Sequence, residues 1–256
     1  MKTEWLYGPH AVGEALAAGR RRVHELLLED RPGALRRLEA LAAAAARRGV
    51  PVRRVPAGEL AAAAGGGRHQ GAAARVDAYP VAGLEEIPAA AAAAAEGPLL
   101  ALDGILDPHN FGAILRSALC AGTTAVVVPR DRSAPPTPAV SRASAGALEH
   151  VRLVRVTNLG RALDELKRRG YWVAGLDRAA PQSLFAADLP QPLVLVVGGE
   201  GGGMRRGILR RCDLLLAIPQ AGPLDSLNVS VAAAVALFEI RRRRLGGGAE
   251  SAGGGR

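Results

Sequence analysis

Three separated stretches carry the residues best suited to chemistry. The last runs from Ile218-Pro219 through a turn-rich loop (Gly222, Pro223, Asp225) to Ser226-Leu227-Asn228, at the mouth of an alanine-rich apolar helix. Ser and Asn accept hydrogen bonds from the unpaired N–H groups of a helix start, so Ser226 and Asn228 can cap that helix. They can equally hold a polar ligand behind the Gly/Pro loop. The middle stretch, Gly198-Gly199-Glu200-Gly201-Gly202-Gly203, follows the apolar run Leu193 to Val197. Glycines let backbone groups approach a ligand closely. Glu200, the lone acid among them, can favour the start of the next helix through its dipole. The loop lacks the GxGxxG spacing of a dinucleotide site and falls late in the chain, though a nucleotide-dependent oxidoreductase stays open as a reading. In the first stretch, Asn110 can cap a helix that carries Arg116, which lies off Asn110's face of that helix. Taken alone, Arg116 could be an ordinary surface arginine.

These stretches need strands and helices to position them, and the pattern supplies both. The second part of the chain alternates candidate strands (Leu99–Ile105, Thr124–Val128, Val151–Val156, Trp172–Leu176, Leu193–Val197, Leu214–Ile218) with candidate helices (Phe111–Ala121, Pro138–Leu148, Leu159–Arg169, Arg205–Arg211, Leu227–Arg243). Such alternation predicts an α/β fold with a mainly parallel sheet and helices on both faces. The final helix, apolar on most faces to Phe238, should be largely buried. Residues 1–80 form a smaller α/β domain, with helices over Pro9–Ala18, Gly33–Arg48 and Ala57–Ala64. Its strands are Val23–Glu29, Val50–Val55 and Ala72–Ala78. An alanine run between Pro80 and Pro98 gives a connecting helix or linker over 81–98, and the glycine-rich tail at 244–256 reads as disordered.

Composition narrows the class. The 256 residues suffice for one large or two small domains, are 49% hydrophobic, ample for a core, and carry a net charge of +9. The charge suits a polyanionic partner, nucleic acid first. Only Lys2 and Lys167 are lysines, so the positive charge is nearly all arginine, which also looks like a compositional bias. Aromatics are 3%, so contacts through arginine to phosphate and ribose are favoured over base stacking. Arg20, Arg21 and Arg22 cluster beside the first predicted strand, as a basic contact or as a solvated loop. No apolar run of about eighteen residues suggests a membrane span. The N-terminus lacks a signal-peptide core. Cys120 and Cys212 have no metal-ligand spacing and read as reduced core residues of a cytosolic protein. His69, in the turn Gly65–Gly71, has no second metal-ligating residue near it.

In order, Asn110-x-Gly112-x-x-x-Arg116-Ser117-Ala118, then Gly199-Glu200-Gly201, then Ile218-Pro219 with Ser226-Leu227-Asn228-Val229-Ser230, resemble the three motifs of the SPOUT superfamily. The match is to its TrmH-type RNA ribose 2'-O-methyltransferases and covers about Leu99 to Arg243. The N-terminal part and Arg68-His69-Gln70-Gly71 resemble the bacterial subfamily that methylates a guanosine ribose in 23S ribosomal RNA. The resemblance implies an S-adenosylmethionine-dependent enzyme acting in the cytoplasm as a homodimer, with no metal and no membrane. It implies a methyltransferase domain over 99–243 that ends in a trefoil knot, preceded by a ribosomal-protein-like domain that binds substrate RNA over 1–80. Periodicity alone would never suggest a knot. The expected cofactor contacts are Gly198, Gly199, Gly201, Ile218, Pro219 and Leu227, through backbone atoms. The expected catalytic set is Asn110, Arg116, Glu200, Ser226 and Asn228. The family assigns this arginine the role of general base. Guanidinium stays protonated at accessible pH, so charge stabilisation and phosphate binding suit Arg116 better. Other readings of the same features are a tRNA ribose methyltransferase and a non-catalytic RNA-binding assembly protein. Gly202 stands where relatives often carry a charge.

Overall fold

A computed structural model describes residues 2–30, 36–90, 97–222 and 226–250. The opening of the helix expected from Gly33, most of the alanine run, the turn residues Pro223 and Asp225 and the last residues of the tail lie outside those residues. The chain divides into two compact units, Met1–Pro80 with Pro135–His150, and Val81–Ala134 with Val151–Arg256.

In the first unit, β1 (Thr3–Tyr7), α1 (Pro9–Ala18), β2 (Val23–Glu29), α2 (Arg36–Arg47), β3 (Val52–Val55), α3 (Ala57–Ala63) and β4 (Ala72–Asp77) follow in order. The four-stranded sheet runs β1-β4-β2-β3. Strand β4 is antiparallel to both neighbours, and β2 pairs with β3 in parallel. Alternation sends Leu26, Leu28, Ala72, Ala74 and Val76 toward the residues of α1 and α2. Leu27, Val55 and Ala73 face the other way, onto Leu60 of α3. Helix α1 stops where Gly19 adopts φ 63°, a left-handed cap that favours a residue without Cβ. The sequence did not signal β1, because only Leu6 of its five residues is buried and so no alternation shows.

The second unit contains β5 (Leu99–Asp103), α4 (Pro108–Ala121), β6 (Ala125–Pro129), β7 (Arg152–Val156), α6 (Leu159–Arg168), β8 (Trp172–Leu176) and β9 (Gln182–Ser183). It continues with β10 (Leu193–Gly198), α7 (Arg206–Leu209), β11 (Leu214–Ala217) and α8 (Val229–Glu250), while α5 (Pro138–Ala143) falls in the first unit. The seven-stranded sheet has the order β7-β6-β5-β10-β8-β11-β9. Every pair in it is parallel, as the strand–helix alternation predicts. One face packs on Leu159, Leu163 and Leu166 of α6, and α8 packs against α4 and β10. The segment expected as a linker is packed at its start: Ala82, Ile87 and Ala90 join the core, and Tyr171 Oη donates to Pro88 O at 3.1 Å. An isoleucine among alanines is apolar enough to anchor it. At the other end, α8 continues to Glu250 where a disordered tail was expected from residue 244. Extending a helix already formed costs far less than nucleating one, even through glycines.

Residues 135–150 leave β6, join the first unit and return to β7. The single helix expected over Pro138–Leu148 is α5 followed by a separate 3₁₀ turn, Ala147–Glu149. Ala145 at φ 52° and Gly146 at φ 87° break it between them. A Cβ on Gly146 would lie 2.5 Å from Glu14 Cγ, so the turn passes too close to α1 for any side chain. A buried carboxylate fixes this segment. Arg21 donates to Glu149 through Nε (2.8 Å) and Nη2 (2.6 Å), Ser141 Oγ donates to Glu149 Oε1 (2.6 Å), and Arg21 Nη1 reaches Glu4 (2.5 Å). Burial alone would lower the Arg21 pKa, but the hydrogen bonds and charges of Glu149 and Glu4 outweigh it and raise the value. Arg21 is therefore not part of a solvated loop.

Candidate active site

The site lies at the carboxyl ends of β8, β10 and β11, where open parallel sheets bind ligands. Leu176, Val197 and Ile218 at those ends line a cleft of about 500 Å³ together with Gly198–Gly203 and Ser226–Val229. The glycines are dictated by space. A Cβ on Gly198 would lie 2.2 Å from the Gly203 carbonyl carbon, and one on Gly199 2.2 Å from Gly104 O. Gly201 and Gly203 take φ 78° and 60°, which glycine adopts without strain. Gly199 N donates to Asp103 O at 2.8 Å, which ties the loop to the neighbouring strand.

Asp103 itself was not picked out from sequence. Its carboxylate is buried at the end of β5 and receives Arg205 N (2.9 Å), Nε (2.8 Å) and Nη2 (2.6 Å). Arg205 directly follows the glycine loop and Met204, so this pair closes the loop on its return. No local signal could have revealed the contact, because it spans about a hundred residues of sequence.

Asn110, Glu200 and Asn228, from the three separate stretches, meet at the cleft rim. Asn110 Nδ2 donates to Glu200 Oε1, and Asn228 Nδ2 donates to Asn110 Oδ1 (3.1 Å) and Glu200 Oε1 (3.3 Å). Asn110 does not cap α4. Asp107 caps it, its Oδ1 accepting from His109 N at 3.0 Å, because Pro108 occupies the first helical position. That leaves the Asn110 side chain available to Glu200. Asn228 does cap α8, accepting from Ser230 N at 2.8 Å, so the helix begins at Val229 and Ser226 takes no part in capping. Ser230 Oγ donates to Asn228 Oδ1 at 2.6 Å and fixes which end of the amide faces Asn110. Ser230 closes the third motif, where sequence alone gives it no role.

Of the remaining expected residues, Gly198, Gly199, Gly201, Ile218, Ser226 and Leu227 line the cleft; Pro219 lies beside Ile218 in sequence but outside the lining. Arg178 and Gln220 line it too and were not anticipated. Arg116 stands apart. It is exposed on α4, outside the cleft lining, and makes no side-chain hydrogen bond or ion pair among the described residues. Cys120 is exposed rather than in the core. Cys212 is half-buried, and burial pushes its thiol up to about 11.

A parallel α/β unit whose glycine loop and amide–carboxylate cluster meet at the strand ends belongs to the class of folds that take a ligand at the carboxyl edge of an open sheet. Comparison with known proteins sharpens that class. Residues 97–238 match the SpoU rRNA methylase family and residues 5–82 match the RNA 2'-O ribose methyltransferase substrate-binding domain. The chain belongs to the SpoU rRNA methylase family. It is 44% identical over 249 residues, 96% of this chain and 98% of the relative, to the 23S rRNA (guanosine-2'-O-)-methyltransferase RlmB of Xanthomonas campestris. The protein of the same name from Pseudomonas putida is 45% identical over 246 residues, 94% of this chain and 97% of its own. Among solved structures, the SpoU methyltransferase AviRb from Streptomyces viridochromogenes, in complex with the cofactor AdoMet, superposes with a TM-score of 0.76 at 26% identity. That superposition covers 94% of this chain and 90% of the other.

Proposed function

We propose that this chain transfers a methyl group from S-adenosylmethionine to the ribose 2'-OH of a guanosine in 23S ribosomal RNA, in the cytoplasm and as a homodimer. The carrying observation is the convergence of Asn110, Glu200 and Asn228 at the rim of the glycine-loop cleft. The cleft fits the cofactor: it is lined by the backbone of Gly198–Gly203, which carries no side chain but that of Glu200, and its size suits a nucleoside-sized ligand. Gly198, Gly199, Gly201, Ile218 and Leu227, which line it, are the residues that would hold it, and the bound sulfonium would supply an electrophilic methyl group. The C-terminal part of the second unit is the part that forms the trefoil knot of this family.

The chain's own residues then have separable tasks. Glu200 is held by two amides and can in turn accept from a ribose hydroxyl, and Ser226 lines the same cleft. Asn110 and Asn228 set the orientation of Glu200. Arg116, exposed and without an intramolecular partner among the described residues, is available to an RNA phosphate and to a site completed across the dimer. There it would bind phosphate and stabilise the developing alkoxide. Residues 1–80 recognise the RNA. The dimer reading is supported by α8, where Val231 (48% exposed), Phe238 (47%) and Leu245 (66%) recur every seven residues on one open face. This corrects the expectation of a largely buried helix: Ala233, Ala236, Leu237 and Ile240 are buried, and the opposite side is not.

The test is to incubate the protein and labelled donor with total RNA from a strain lacking the gene, and to map the modified ribose. Label at one guanosine ribose of 23S RNA is the expected result. Label in tRNA, or on a base, would overturn the reading.

A further inference from the structure

The first unit contains a groove that neither the cleft nor the fold accounts for. It opens where α1 turns into β2 and α2 turns into β3, and it encloses about 590 Å³. Gly19 and Gly49, at φ 63° and 66°, make the two turns that bring these segments side by side. Arg20, Arg21, Arg22 and Arg48 line it, with His24.

Two of these arginines, Arg48 and Arg20, are held there by specific contacts. Arg48 lies across the first turn: its Nη2 donates to Ala17 O at 3.0 Å, and Nη1 sits 2.8 Å from where a Gly19 Cβ would be. Arg20 lies 5.6 Å from the centre of the Tyr79 ring, with Nη1 3.4 Å from Tyr79 Oη. The neighbouring carboxylates are engaged elsewhere. Glu4 and Glu149 bind Arg21, and Asp77 shares a 2.8 Å hydrogen bond with His24. Arg22 and Arg48 form no ion pair among the described residues. Two guanidinium forks without a carboxylate partner among the described residues, Arg22 and Arg48, create a local positive potential in a concave site, and their donor geometry matches phosphate.

We propose that this groove binds a backbone phosphate of the substrate RNA, with Arg22 and Arg48 as its principal contacts. The proposal rests on the RNA-methyltransferase reading above. It places a phosphate contact where the sequence left Arg20–Arg22 as either a contact or a solvated loop, and it excludes Arg21, whose charge is consumed inside the unit.

The experiment uses the full chain and unmodified 23S ribosomal RNA from the gene-deletion strain. Binding is measured against salt for wild type, for Arg22→Glu/Arg48→Glu, and for Arg36→Glu/Arg37→Glu on the exposed face of α2 as a control with the same charge change. The groove variant should lose about 10- to 100-fold in affinity near 0.1 M salt. Its log–log salt slope should shrink by about 2, since each phosphate contact contributes about 0.9. KM for RNA should rise with kcat and S-adenosylmethionine affinity unchanged. Arg22→Gln guards against misfolding, because among the described residues the Arg22 side chain makes no hydrogen bond or ion pair to lose; its slope should shrink by about 1. Competition by inorganic phosphate at equal ionic strength should be weak, which separates an RNA site from a free-phosphate site. Groove variants that behave like the control, or strong competition by phosphate alone, overturn the proposal while methylation of 23S RNA by the wild type continues. If the wild type neither binds nor methylates that RNA, the functional reading fails as well.

Discussion

At the scale of single residues, the site divides into side chains whose motif announced them and side chains that only the fold reveals. Asn110, Glu200 and Asn228 were legible as motif members, but the bonds among them were not, because Asn110 reads from sequence as a helix cap. Asp103 was invisible: an acid at the end of an apolar run has no distinguishing neighbour, and its partner Arg205 is remote in sequence. Its burial now gives it a definite effect. Asp103→Asn keeps the shape but loses the charge-assisted bonds to Arg205, so the glycine loop should loosen. S-adenosylmethionine affinity, measured by calorimetry, should fall about 10-fold, a loss of about 1.4 kcal/mol and in the range of one charged hydrogen bond. An unchanged affinity would show that the loop holds its form without the clamp. Arg116 tests a different point. If its task is charge and phosphate binding, Arg116→Lys should keep measurable activity while Arg116→Ala loses nearly all, with cofactor affinity intact in both. Should Arg116→Lys instead keep a robust maximal rate and bring the rise of activity to lower pH, the residue is a general base after all, since lysine titrates below arginine.

Among the elements, the parallel sheet was the most legible feature, because buried strands such as LVLVV and AVVV are continuous β-branched and leucine runs bounded by turn residues. What escaped were elements with little to bury. Strand β1 buries one side chain, and β9 has two residues. Helix α5 was overextended because ALE at 147–149 continues a helical pattern that Ala145 and Gly146 interrupt by backbone conformation alone. In α8 the composition was misleading. Alanine and valine on every side suggested burial all round, whereas one face packs on α4 and the Val231–Phe238–Leu245 stripe does not. That stripe carries a prediction about assembly. Phe238→Glu puts a charge at its centre, and Phe238 is not itself a residue of the cleft lining. The variant should sediment as a monomer at micromolar concentration and retain its melting behaviour. If Arg116 acts in a site shared between protomers, RNA methylation should be lost along with the dimer. A Phe238→Glu protein that sediments as the wild type does would remove this face from the interface.

The largest scale shows most clearly where sequence order misleads. A boundary between residues 80 and 98 suggested two consecutive domains, yet the first unit is completed by residues 135–150, which the chain supplies from between β6 and β7 of the second. Consecutive motifs cannot reveal such an excursion, since its helix-like residues read as one more strand–helix repeat. The Arg21–Glu149 pair, with side chains 2% and 1% exposed, joins its two parts. Removing one partner of a buried pair leaves an uncompensated charge, at a cost of about 3–5 kcal/mol, whereas replacing both by apolar residues can be nearly neutral. Arg21→Met should therefore destabilise the first unit by about that amount, and Arg21→Met/Glu149→Leu should recover part of it, the unpaired Ser141 hydroxyl limiting the recovery. The two tryptophans allow the units to be followed separately: Trp5 belongs to the first and Trp172 to the second. In a denaturant titration, the Trp5 transition, read in a Trp172→Phe background, should move to lower concentration in Arg21→Met. The Trp172 transition, read in Trp5→Phe, should move less. A fragment beginning at Pro98 lacks Arg21 and Glu4 and should share the defect, exposing residues 135–150 to rapid proteolysis. Coincident shifts of both transitions in Arg21→Met would mean that the chain unfolds as one cooperative body. A Trp5 transition that does not move would mean the buried pair contributes nothing to closing the first unit.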